Sequence, residues 1–195
     1  MAQIWTPGFT NGAAAQLWTA PVGTVRPADT SALYPALPAP WVTPGSTVDG
    51  YETGSNVNVT EWKIEEQDNP VKRRKQRTIG VKATLAEATL VNYKLAQGGG
   101  TLTAVASGTA PVTPAKMVYR FTDDSDEIAV ILDSVGSPDP VTGISRALRL
   151  YIPRADAAGS VTDKYRRTAD YRQFTLEIAA LCPGSQIELY EIAAA

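Results

Sequence analysis

Histidine is absent from this chain. That gap removes the commonest metal ligand, the usual general base near neutrality and every Ser-His or Cys-His pairing together. Cysteine is reduced to Cys182, so no intrachain disulfide can form, a reducing compartment is compatible, and a buried, inert thiol is expected rather than a nucleophile. Charged residues make up 19% of the chain, against about 25% in an ordinary soluble domain. Such a surface is expected where subunits cover one another, the other reading being a small Ala-rich globular domain. The 18 basic and 20 acidic side chains leave a net charge of -2, so there is no general positive field of the kind that neutralises phosphates. No stretch approaches the apolar length of a bilayer span. The opening MAQIWTPGFTNGAAAQLW has no basic segment followed by an unbroken apolar run and is not read as a secretory signal.

What is present fits one domain over residues 1–195 with extensions, since that length supports a single substantial core. AAAQLWTA (13–20) reads as a short strand with Trp18 inward. Prolines 21, 27, 35, 38, 40 and 44 each lack an amide donor and hold the preceding residue extended, so 21–44 is expected to be an ordered arm or long loop. Tyr34 and Trp41 are its candidate anchors on a neighbouring subunit, because aromatics offer large contact area at low entropy cost. The equal alternative is that Trp41 plugs its own core.

Residues 55–82 read as a long hairpin or extended loop. Its first limb, near 55–66, carries Val57, Val59, Trp62 and Ile64, with a bulge expected where the alternation slips. Gln67-Asp68-Asn69-Pro70 is the turn, and the return limb holds Lys72, Arg73, Arg74, Lys75 and Arg77. A nucleic-acid reading of this run is weak, because strand alternation splits the charges between two faces and no aromatics interleave. Pairing with Glu61, Glu65, Glu66 and Asp68, within the hairpin or across a subunit boundary, is the favoured reading.

Thr84-Leu85-Ala86-Glu87 has the Thr-x-x-Glu form of a capping box. With Ala88, Val91 and Leu95 at helical spacing and a stop at Gly98-Gly99-Gly100, it predicts one helix near 85–97. Six more strands are expected at 101–106, 115–121, 127–135, 146–153, 171–181 and 186–192, separated by Gly and Pro breaks that suit antiparallel connections. The fold class is therefore mainly β, an antiparallel barrel or sandwich with one flanking helix. The cluster Asp123, Asp124, Asp126 and Glu127 lacks the ligand order of a calcium loop and reads as a solvated turn. No phosphate loop or dinucleotide fingerprint occurs, and no catalytic, cofactor or metal residue is assigned.

Three stretches carry a resemblance. AAQLWTAPVGTVRPADTSA is similar to the opening strand and Ala-Pro-x-Gly-Thr-x-x-Pro arm of the major tail protein, or tail tube protein, of long-tailed bacteriophages. WVTPGSTVDG resembles the family's Trp-x-x-x-Gly-x-x-x-x-Gly approach to a central hairpin at Trp41, Gly45 and Gly50, with Asp49 as the acidic residue before the last Gly. Thr84-Leu85-Ala86-Glu87-Ala88 looks like the passage from strand to helix that follows the hairpin. The match covers roughly the first half of the chain and continues as strand pattern only. It implies a tail tube-like β-sandwich or half-barrel whose sheets join around a hexameric ring, with rings stacked into a hollow tube. Viral DNA passes through the lumen without specific binding, and no cofactor or membrane is involved. The implied partners are further copies of the chain, a tape-measure protein, and tail terminator and baseplate or distal tail proteins. The implied location is the virion tail, with assembly in the host cytoplasm. On this reading the arm 21–44 with Tyr34 and Trp41, and the hairpin tip 67–77 with Asp68, Lys72, Arg73, Arg74, Lys75 and Arg77, make inter-subunit or inter-ring contacts. A head-tail connector or tail terminator that forms one ring is the alternative, and a carbohydrate-binding β-sandwich is a more distant one.

Overall fold

The computed structural model describes residues 15–28, 37–62, 71–109, 112–138, 145–157 and 174–192. Among these the backbone is mainly β, with one α-helix and a curled antiparallel half-barrel sheet. The sheet contains β1 (Gln16–Pro21), β2 (Thr47–Trp62), β3 (Val71–Leu85), β8 (Glu127–Pro138), β9 (Ser145–Ala157), β10 (Phe174–Ala180) and β11 (Glu188–Ile192). Their order is β1-β8-β9-β10-β3-β2, with β11 branching from β9. β9 makes the branch because two strands share one of its edges: β10 pairs with Ala155–Ala157 and β11 with Ala147–Tyr151.

The apolar run in β8 marks where the sheet is buried on both sides. Successive strand residues point to opposite faces, and Ala129, Val130, Ile131 and Leu132 are all buried. One face joins Leu17, Val81, Leu85, Val130, Leu132, Leu150, Ile152, Leu176 and Ile178 with Ala96 of the helix. The opposite face joins Trp18, Ala20, Ala129 and Ile131 with Leu37 and Trp41 of the Pro-rich segment. That segment is tied back to β1 by reciprocal bonds: Thr19 N donates to Val42 O at 2.8 Å, and Val42 N donates to Thr19 O at 2.9 Å.

The long hairpin is present as β2 and β3. Its expected bulge falls between Asn58 and Val59, where Asn58 pairs with Gln76 but Val59 pairs with Arg74. The helix corrects the capping-box expectation. Thr84 and Leu85 complete β3, paired with Thr175 and Phe174. Helix α1 spans Leu90–Gln97, and its N-cap is Thr89, whose Oγ1 accepts from Asn92 N at 3.1 Å. Pairing holds Thr84 and Leu85 in the strand and Ala86 N donates to Ser46 O at 2.9 Å, so the chain turns helical only at the next Thr. Glu87 instead accepts a hydrogen bond from Ser46 N at 3.2 Å. The stop stands as expected, since Gly98 has φ 75°, a left-handed position that glycine tolerates best.

After α1, β4 (Thr101–Val105) and β7 (Lys116–Arg120) form a separate two-stranded ribbon. The Gly108–Pro114 break holds the small pair β5 (Gly108–Thr109) and β6 (Val112–Thr113). The described residues contain no helix long and apolar enough to cross a membrane.

Candidate assembly surfaces

In the main sheet three strands present edges with little or no partner among the described residues. β2 pairs only with β3, β11 only with β9, and the outer edge of β1 carries just the Thr19–Val42 bridge. An open strand edge displays unpaired amides and carbonyls that template a further strand. β2 is 16 residues long, about 50 Å at the usual rise per strand residue, so its edge is the largest such surface.

Register sets the basic run on β3. Lys72 lies opposite Glu61, Arg73 opposite Thr60, Arg74 opposite Val59 and Arg77 opposite Val57, while Lys75 occupies the bulge. An acidic and a basic residue thus face each other across the ladder, as charge pairing requires at the backbone level. The side chains of Lys72, Arg73, Arg74 and Lys75 lie outside the described residues, as do Tyr34, Asp68 and the turn itself. Arg77 is exposed, and its aliphatic stem lies beside Gly184 of the 3-10 turn Gly184–Gln186 that follows β10.

Trp41 is not an exposed anchor. It is 5% exposed, packs with Trp18, Leu37 and Ile131 of its own chain, and donates from Nε1 to Val25 O at 3.4 Å. Its work in this chain is to hold the two ends of the arm together at their root.

A polar row missing from the sequence reading crosses the same sheet face. Gln16, Asp133, Arg149 and Tyr190 are successive register partners on β1, β8, β9 and β11. Arg149 and Asp133 are 0% exposed and form a bidentate pair, with Nε donating to Oδ1 at 2.6 Å and Nη2 to Oδ2 at 2.8 Å. Burial pushes the Asp133 carboxyl above its ordinary range, while the hydrogen bond and charge of Arg149 pull it back. Burial also opposes the Arg149 charge, yet Asp133, with Tyr190 adding, holds its pKa above the usual guanidinium value. Toward the arm, Arg26 pairs with Glu188 and stacks 5.2 Å from the centre of the Tyr190 ring. The unbroken apolar run in β8 signals that this strand is covered on both faces, but it does not say which residues of β9 share that cover, since Arg149 is buried while Arg154 on the same strand is exposed.

The acidic turn disperses into ion pairs. Asp126 bonds Lys94 at 2.8 Å. Arg154 grips Glu127, with Nε donating at 2.7 Å, and this bond holds the Glu127 carboxyl below its ordinary range. No group of three or more Cys, Asp or Glu side chains among the described residues is placed to hold a metal ion. Cys182 is 8% exposed. Beside this turn lies an open groove of about 600 Å³, walled by Pro40, Val42 and Pro44 of the arm, Val91 and Leu95 of α1, and Ile128.

These features define a class: a β half-barrel with open strand edges, on which the described ends of the Pro-rich segment are packed. The sequence profile described as phage tail tube protein matches residues 8–182, and the chain belongs to that family. It is a structural component of a bacteriophage tail, of the kind that assembles into a tube. No curated protein sequence matches the chain.

Proposed function

We propose that this chain is one domain that polymerises as hexameric rings stacked into the hollow phage tail tube, the conduit for DNA ejection into the host. Family membership over residues 8–182 carries this reading, and the 16-residue free edge of β2 supplies the physical means. A neighbour's strand completes that edge, and repetition around an axis closes a ring. Ring-on-ring contact is heterologous and propagates as a filament. The arm 21–44 and the hairpin tip 67–77, with Tyr34, Asp68, Lys72, Arg73, Arg74, Lys75 and Arg77, bridge subunits or rings, and Trp41 sets the direction in which the arm leaves the sheet.

The role is structural and non-enzymatic. The lumen is neutral or acidic, so DNA slides without adhesion, and the basic run is spent in pairs or at interfaces. A tape-measure protein fills the tube before ejection, terminator and baseplate or distal tail proteins close its ends, and subunits accumulate in the host cytoplasm before entering the virion. Negative-stain electron microscopy of the purified protein over a concentration series tests this reading. Hollow tubes of stacked rings are expected; isolated rings would reassign the chain to a connector or terminator, and persistent monomers would overturn polymerisation.

A further inference from the structure

The ribbon of β4 and β7 is an element without a sheet. Among the described residues it pairs with none of the main strands, and a lone two-stranded ribbon is marginal in water unless something covers it. Its root is held on α1: Tyr119 meets Tyr93 edge-on at 5.2 Å and donates to Gly99 O at 2.8 Å. Beyond the root, cover stops. Leu102 pairs with Tyr119 and Ala104 with Met117, which sets Leu102, Ala104, Met117 and Tyr119 on one face. On that face Met117 is 49% exposed, and on the opposite face Val105, paired with Lys116, is 37% exposed.

The groove between the arm and α1 has the matching deficiency. Val42 and Val91, on its walls, are 56% and 51% exposed, and no residue of the ribbon lines it. The charges also match. Lys116 and Arg120 on the ribbon are exposed, as are Asp123 and Asp124 next to the groove wall at Ser125. None of the four enters an ion pair among the described residues.

We propose that the Met117 end of the ribbon docks in the arm–helix groove of a neighbouring copy, with Lys116 set against that copy's Asp123 and Asp124. The inference rests on the tail tube reading, which supplies the second copy. Ribbon and groove are different surfaces of one chain, so the contact is heterologous and can pass from subunit to subunit without limit. Like the open β2 edge it joins copies, but by side-chain packing rather than by backbone pairing.

The test uses the full chain in a Cys182→Ala background. Tubes made from an equal mixture of Val91→Cys and Met117→Cys chains are treated with a short bis-maleimide, and a covalent dimer is expected; either variant alone gives none. The doubly substituted chain is expected to give a ladder of higher species. Separately, Lys116→Glu is expected to slow assembly about tenfold at moderate salt, and Asp124→Lys in the same chain restores the rate. Melting curves confirm that each variant is folded. Tubes with no cross-linked species and no response to charge reversal would overturn the docking while leaving the tube reading intact. Cross-linked dimers without tubes would support the docking and sink the tube. A parent chain that never associates would overturn both.

Discussion

At the scale of single residues, the Asp133–Arg149 pair is the least expected feature and the most exposed to test. A buried pair adds little net stability over apolar side chains of similar size, because desolvation offsets attraction, but breaking it strands a charge. Among the described residues the buried Nη1 of Arg149 has no close hydrogen-bond partner, and Tyr190 adds support to the guanidinium. Asp133→Ala is therefore expected to cost about 3–5 kcal/mol in urea denaturation, and Asp133→Leu with Arg149→Met to recover most of that loss. A double variant as unstable as the single one would show that the pair contributes more than its own burial removes. Tyr51 gives a second test. Its phenol is pushed up to about 12, first by burial, with a Leu17 backbone hydrogen bond opposing and the charge of Glu87 adding. The unfolded chain titrates near the ordinary value of about 10, so the folded state holds the extra proton between these values. Tyr51 thus contributes stability that is complete below about pH 10 and is lost as pH rises through about 12. Tyr51→Phe is expected to flatten the alkaline arm of the stability profile over that window, read by denaturant titration at each pH. Arg149 itself was hidden in the sequence: Leu148, Leu150 and Ile152 alternate as though the intervening residue faced water, and only β8 and β11 on either side bury it.

At the scale of elements, the helix shows how a correct type can carry a wrong boundary. Thr84 and Thr89 both have capping chemistry, and local sequence does not say which is used. Pairing of Thr84 with Thr175 on a strand about ninety residues away decides it. Thr89→Ala is accordingly expected to destabilise the protein by about 1 kcal/mol, and Thr84→Ala to leave helix content unchanged in circular dichroism. The helix is also held from outside: Asn92 is 4% exposed and donates from Nδ2 to Pro44 O at 2.7 Å and to Glu87 O at 2.9 Å, joining α1 to the end of the arm. The stop was legible because Gly98 answers a local need, but its second reason is tertiary. A Cβ there would collide with the backbone carbonyl of Ala157. Gly98→Ala combines left-handed strain with that clash and is expected to lower stability by more than the roughly 1 kcal/mol of the conformational term alone, measured by thermal unfolding.

At the scale of the whole molecule, the question is what completes the open sheet. In the monomer, β2 amides that point away from β3 have no strand partner among the described residues and are expected to exchange with solvent far faster than those of β8 and β9, which are paired on both sides. On assembly the β2 amides are expected to become protected while those of the central strands hardly change, as followed by hydrogen exchange and mass spectrometry. Unchanged exchange along β2 in tubes would remove that edge from the interface. The arm belongs to this scale as well. Its prolines announced an extended segment, but only the packed structure shows Leu37 and Trp41 lying on the second face of the sheet, so the arm's root is part of the core and not a free tether.

The main strands, the bulge, the glycine stop and the family were determined by the sequence itself, because alternation and turn residues are local properties that no distant contact alters. The sharing of the β9 edge by β10 and β11, the choice of Thr89 over Thr84, the inward turn of Trp41 and the burial of Arg149 were decided only by tertiary structure. Each depends on which surface another part of the chain covers, and that cover comes from segments many residues away whose pairing leaves no periodic trace in the sequence.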